Sequence, residues 1–215
     1  MPIGRHREKL RRAKQAMKMG TDLKYTTGFP GPKGRFSLEL RDAHTGKVLV
    51  ALEKDNVITN DGGILAAILF QSRGGPARGL SMLAVGTGAK GALLNPDAAD
   101  PSQRRLEAEI SRKTFSSIVF RNAEGGASSV PTNVVDFTTT FGEAEAVGPL
   151  NEMGLVSPAS DNVAVQSTDG MTTSTETYDP TFDVSDKDIM VNYSTFPVIS
   201  KPSTAILTIT WRLTF

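Results

Sequence analysis

Apolar and polar positions begin to alternate strictly at Arg35. In "RFSLELRD" Phe36, Leu38 and Leu40 alternate with Ser37, Glu39 and Arg41, and in "KVLVALEKD" Val48, Val50 and Leu52 share one face. A period of two marks a strand with one buried side, and "AHTGK" between them supplies the glycine a tight hairpin needs. The period then lengthens. "ITNDGGILAAILFQS" offers Thr59 or Asn60 as N-cap before Ile64, Leu65, Ile68 and Leu69, which predicts a short, mostly buried helix of about three turns. The apolar run Leu80, Met82, Leu83, Ala84, Val85 predicts a strand over 80–85. "DPSQRRLEAEISR", with Asp100 as N-cap and Pro101 at the first helical position, predicts a second short helix.

Strand material fills the rest. "KTFSSIVFRN", "NVVDFTTTFGE", "IMVNYSTFPVIS" and "TAILTITWRLTF" are rich in β-branched and aromatic residues, and the last alternates Ile206, Thr208, Thr210, Arg212 against Leu207, Ile209, Trp211, Leu213. The expected fold is mainly β: an antiparallel β-sandwich with one or two short helices and an N-terminal basic helical arm. Residues 1–34 read as that arm plus a Gly/Pro linker, "TTGFPGPKG", and residues 35–215 as the sandwich domain. Within it, the Ser/Thr/Asp-rich stretch 156–188 is too long for an ordinary connector and reads as a loop that is functional, packed on a neighbour or disordered.

Charge sharpens this division. Seven basic residues in 1–20 (Arg5, Arg7, Lys9, Arg11, Arg12, Lys14, Lys18) against Glu8 give +6, so with +1 overall the remainder carries −5. Residues 133–195 hold eleven acidic residues and one basic, Lys187. One end of the chain seeks anions and the other supplies them. The absence of cysteine excludes disulfides, thiolate metal sites and cysteine nucleophiles. No apolar run approaches the ~20 residues that cross a bilayer, and the basic start lacks the apolar segment of a secretory signal.

Candidate chemistry changes little. Gly86, Gly88 and Gly91 in "LAVGTGAKG" match G-x-G-x-x-G, but "ALLNPDAADPS" follows, whose Asn95, Pro96, Asp97 and Pro101 forbid the long helix a dinucleotide loop requires. Lys90 precedes Gly91 rather than Ser or Thr, so the stretch is not a P-loop either. The glycines read as a tight strand exit. His6 lies in the arm and His44 in the hairpin turn, neither spaced for a triad, and both read as solvated surface residues. Asp183, Asp186 and Asp188 of "DVSDKD" lack the order of a calcium loop and read as solvated. Glu143 and Glu145, two apart in a stretch read as extended, form no glycosidase pair without a pocket, and Trp211 reads as core rather than a sugar platform. No catalytic, cofactor-binding or metal residue is expected.

The arm could neutralise phosphates, but it lacks the aromatics that stack on single strands. A segment so thin in apolar residues gains order by docking on another surface. An acidic surface on a second subunit answers that need, so Arg5, Arg7, Lys9, Arg11, Arg12 and Lys14 are the expected partner-binding residues.

In order, "LRDAHTGKVLVALEKDNVITNDGGILAAILF", "LSMLAVGTGA", "LEAEISRKTF", "VVDFTTTFGEAEAVGPLNEMGLVS" and "TFPVISKPSTAILTITWRLTF" resemble a family of tailed-bacteriophage virion structural proteins, described as tail, tail-fibre, collar or minor structural proteins. The resemblance spans most of 38–215 and excludes the arm. It implies a β-sandwich-like module that builds rings or lattices on a virion, assembled in the host cytoplasm, with other copies of itself and neighbouring virion proteins as partners and no membrane. It carries no catalytic residue to transfer. The expectation is a non-enzymatic neck, collar or tail-attached ring component that assembles through its arm and loops. Capsid decoration, a nucleic-acid-binding module and a carbohydrate-binding attachment protein are the alternatives.

Overall fold

The alternation at Arg35 becomes strand β1 (Lys33–Asp42), whose Phe36, Leu38 and Leu40 are buried while Arg35, Ser37 and Glu39 point the other way. The structure is a computed structural model that describes residues 31–71, 79–157 and 188–215. The arm residues Arg5 to Lys14, His6, most of the linker and most of the 156–188 loop lie outside the described residues. From Pro32 on, the described residues belong to one compact unit.

A tight turn with Gly46 at φ 70° leads into β2 (Val48–Ile58). A register shift between Leu40 and Arg41 pairs Leu40 with Val50 but Arg41 with Val48. This bulge breaks the expected common face of Val48, Val50 and Leu52: Val48 and Leu49 are both exposed, whereas Val50 and Leu52 pack against the core. Helix α1 (Asn60–Gln71) follows, with Thr59 as its N-cap: the Thr59 hydroxyl accepts the Gly62 N–H at 3.1 Å and also donates to the Met190 carbonyl at 2.5 Å. Among its described side chains Leu65 packs with Ile189 and Val191, whereas Ile64 and Leu69 are exposed rather than buried as expected.

The remaining strands are β3 (Met82–Gly86), β4 (Gly91–Ala92), β5 (Asn95–Pro96), β6 (Glu109–Thr114), β7 (Ser117–Arg121), β8 (Ala127–Ser128), β9 (Val134–Phe141), β10 (Gly148–Ser157), β11 (Ile189–Lys201) and β12 (Ala205–Thr214). Ten of the twelve described strands form one antiparallel sheet in the order β6-β3-β10-β11-β2-β1-β12-β9-β7-β8, and β4 and β5 form a separate hairpin. β2 and β11 pair only at Val57–Tyr193 and Ile58–Asn192. At the far end only Phe115 and Ser116 separate β6 from β7.

One apolar cluster draws on both halves of this sheet: Phe36, Leu38 and Leu40 of β1 and Leu207, Ile209, Trp211 and Leu213 of β12 meet Leu83, Val85, Leu150, Met153, Leu155 and Phe196 of β3, β10 and β11. Trp211 is fully buried, with its ring 5.6 Å from that of Phe36, which lies 6.3 Å from Phe196. Each such side chain contributes about 1.5–3 kcal/mol relative to exposure. β10 and β11 are buried on both faces, because Val156, Met190 and Tyr193 pack with Met82, Ala84 and Leu106 in a second cluster.

Three expectations fail for identifiable reasons. Asp100 does cap a turn, accepting the Ser102 N–H at 2.7 Å, but no helix follows. Leu106 is drawn into the second cluster and the next two backbone N–H groups are taken by Glu152, so the chain leaves as β6. Glu143 and Glu145 lie in the turn between β9 and β10, where Glu145 bends back to accept the Gly142 N–H at 2.6 Å and to pair with Lys113. Asp188 is not solvated. It is 5% exposed and pairs with the buried Arg112, which also forks onto Glu109.

Candidate assembly site

The glycine loop is organised by a buried carboxylate. Glu152 is fully buried on β10. Its Oε1 accepts the N–H groups of Gly88 at 2.9 Å and Ala108 at 2.8 Å, and its Oε2 accepts the Glu107 N–H at 3.0 Å and the Tyr193 hydroxyl at 2.9 Å. Four donors around one carboxylate satisfy an ion that would otherwise be costly to bury. Burial raises the Tyr193 phenol well above its ordinary value, and the neighbouring Glu152 charge adds to this, so Tyr193 stays a donor.

The glycines are there for clearance. A Cβ on Gly86 would stand 2.5 Å from the Ala108 carbonyl oxygen and 2.6 Å from Glu152 Oε1, and one on Gly88 would stand 2.5 Å from the Ala108 nitrogen. The loop is a strand exit laid flat against the 107–108 backbone, as the absence of a following helix led one to expect.

From this anchor the chain runs into the β4–β5 hairpin. Gly91 (φ 90°) pairs with Pro96 and Ala92 with Asn95, which leaves Leu93 and Leu94 as the two-residue tip. They are 64% and 78% exposed. Two-residue turns favour Gly, Asn and Asp, for φ freedom or local hydrogen bonds, and leucine has neither. The hairpin is pinned along its length. Ala89 N–H donates to Asn151 at 3.0 Å, Asp97 N–H to the Lys90 carbonyl at 2.7 Å, Val198 N–H to the Leu93 carbonyl at 2.8 Å, and the Thr195 hydroxyl to the Asp97 carbonyl at 2.7 Å. Lys90 closes its base against Glu107 at 2.8 Å; the hydrogen bond raises the lysine and lowers the carboxylate from their ordinary values. Behind the base lies a cleft of about 330 Å³ lined by Lys90, Asp97, Asp100, Glu107 and Tyr193 among others. The arrangement is a rigid finger with an apolar tip.

A polar face covers the outside of β2, β1, β12 and β9. Thr138 and Thr210 hydroxyls meet at 3.0 Å, and Thr140 and Thr208 at 3.3 Å. Asp136 accepts from Arg212 at 2.7 and 2.9 Å and from Arg121 at 2.7 Å, while Arg35 donates to Glu53 at 2.6 Å.

The six arm residues expected to bind a partner lie outside the described residues. His44 sits exposed in the β1–β2 turn. The finger was missed by sequence reasoning. Its signal was "GALLNPD", two leucines where Gly91 on one side and Pro96 on the other mark a turn. Among the described residues no helix is long and apolar enough to cross a membrane. No family model and no curated protein matches the chain.

Proposed function

We propose that the protein is a non-enzymatic structural component of a tailed-phage virion, a neck, collar or tail-attached ring protein whose sheet folds over as a β-sandwich. The observation that carries the assembly reading is the Leu93–Leu94 tip: two large apolar side chains held in water on a hairpin whose base is fixed by hydrogen bonds. Fully covering each would contribute about 1.5–3 kcal/mol, and a second copy of the chain is the surface proposed to cover them. A repeated protein gains a closed ring by burying the same patch many times. The +6 arm and the −5 remainder of the chain support copy-to-copy docking, through Arg5, Arg7, Lys9, Arg11, Arg12 and Lys14. Exposed ion pairs add only about 0–1 kcal/mol each, so the charges steer and the apolar tip holds. The phage resemblance supplies the setting, a virion, with capsid decoration as the variation within that class.

The test is the mass in solution, by light scattering after size exclusion, of the full chain and of a chain beginning at Thr21, at low and high salt. A closed oligomer for the full chain and smaller species for the truncated one support the reading. Monomers of both, with only the full chain retained on DNA of arbitrary sequence, would replace it with nucleic-acid binding.

A further inference from the structure

Four strands set their charges on one rung of the outer face. The register puts Asp55 of β2 opposite Arg35 of β1, Arg35 opposite Arg212 of β12, and Arg212 opposite Asp136 of β9. The signs run minus, plus, plus, minus. Two like charges directly opposite each other across an antiparallel pair repel, and an alternating order would have avoided it. Each arginine is instead held from its outer side. Glu53 takes Nη2 of Arg35, and Asp136 takes Nε and Nη2 of Arg212, with Arg121 sharing Asp136. Nε and Nη1 of Arg35 and Nη1 of Arg212 are left free of these carboxylates, on either side of the seam between β1 and β12.

Over that seam lies an open trough of about 210 Å³ whose lining includes Arg35, Ser37, Thr210 and Arg212, with Glu53 and Asp136 at its sides. Ser37 stands opposite Thr210 two residues along, so two hydroxyls join the two guanidinium groups. Thr210 donates inward when Thr138 donates to it.

We propose that this trough binds a tetrahedral oxyanion, a phosphate or sulfate group, bridged by Arg35 and Arg212 and seated on the Ser37 and Thr210 hydroxyls. Four donor groups around one cavity match four acceptor oxygens, and guanidinium is the side chain suited to such forked contacts. The bridging anion relieves the repulsion between the paired arginines. Because Glu53, Asp55 and Asp136 also face this surface, the site selects by geometry rather than by net charge, and its affinity falls with salt. The trough opens to solvent, so the group can be a free ion or the head of a monoester.

The test is calorimetric titration of the full chain at low ionic strength with inorganic phosphate, sulfate, glycerol 3-phosphate and acetate. Saturable one-to-one binding of the tetrahedral anions with acetate at least tenfold weaker is expected. Glycerol 3-phosphate binding as well as phosphate would identify an ester head as ligand, and phosphate alone a free ion. Arg35→Gln and Arg35→Lys should each lose about tenfold or more, the lysine keeping the charge but not the fork. Arg41→Gln, an exposed arginine on the same strand paired with Glu39, should stay within threefold. Thermal melts of each variant separate lost binding from lost folding. No saturable phosphate binding, acetate binding as tightly as phosphate, or Arg41→Gln weakening binding as much as Arg35→Gln would overturn the proposal.

Discussion

Replacing Glu152 by glutamine keeps the shape of the side chain and removes one acceptor oxygen and the charge. The amide NH₂ must then face one of two pairs of donors. Toward Gly88 and Ala108 it orphans two backbone N–H groups; toward Glu107 and Tyr193 it orphans one, because the Tyr193 hydroxyl can rotate and accept. The second orientation is the cheaper. Its cost is one buried unsatisfied donor, about 1–3 kcal/mol, plus the charge-assisted part of the bonds that remain. Together these give about 2–4 kcal/mol, which for a domain of this size lowers Tm by about 4–16 °C. Tyr193→Phe removes a single donor and should cost about 1 kcal/mol. Urea unfolding of wild type, both single variants and the double variant measures the terms and their coupling. Because the glutamine already spends its cheaper orientation on Tyr193, the double variant should fall short of the sum of the singles or exceed it by at least 0.5 kcal/mol. Glu152→Gln within about 0.5 kcal/mol of wild type, or strict additivity with Tyr193→Phe, would refute the view of Glu152 as the anchor of the glycine loop.

Gly86→Ala should destabilise by about 1–3 kcal/mol or more, since its Cβ meets backbone, whereas Gly63→Ala, in α1 with nothing within 4 Å of its Cβ, should stabilise by about 0.4–1 kcal/mol; thermal melts separate the two. Arg112→Met leaves Glu109 and Asp188 without the guanidinium they share and should cost about 3–5 kcal/mol in urea unfolding. Burial alone raises the Asp136 carboxyl, but hydrogen bonds and charges from Arg212 and Arg121 outweigh it, so its pKa ends below the ordinary value. The folded state then binds its proton less readily than the unfolded state. The stability from this pair is present above the unfolded carboxylate value of about 3.9 and is lost as pH falls through the lower folded value. Asp136→Asn should therefore flatten the decline of Tm below about pH 4.

The strands of one-sided burial were readable because their alternation is undisturbed: Phe36, Leu38 and Leu40, and Leu207, Ile209, Trp211 and Leu213, fall on the inner face as the pattern required. The cap was readable to within one residue, as Thr59 or Asn60, since a cap acts within three residues, and the bond from the Gly62 N–H selects Thr59. What failed depends on partners far along the chain. "RRLEAEISR" has the composition of a helix, yet Leu106 is claimed by Met82 and Ala84, and the N–H groups of Glu107 and Ala108 by Glu152, 45 and 44 positions on. The bulge at Leu40 moves Val48 to the outer face, which no periodicity could announce. Asp188 was read with the acidic residues before it, although its partner is Arg112, 76 positions away. The GTG spacing excluded a nucleotide loop only through what followed it, and the reason for the glycines became visible with the buried carboxylate beside them. Charge segregation pointed to the arm as a contact, while the signal of the apolar tip, two leucines between Gly91 and Pro96, lay in a stretch read only for the helix it forbids.

The central claim is that the Leu93–Leu94 tip is covered by another copy of the chain. The most direct measurement places a benzophenone side chain at position 94 of the full chain, illuminates the purified protein, and maps the product by mass spectrometry. The account predicts a covalent dimer joining position 94 to a surface of a second copy, lost when Leu93 is also changed to Ser. A product that stays monomeric at concentrations where the unmodified chain assembles would contradict it.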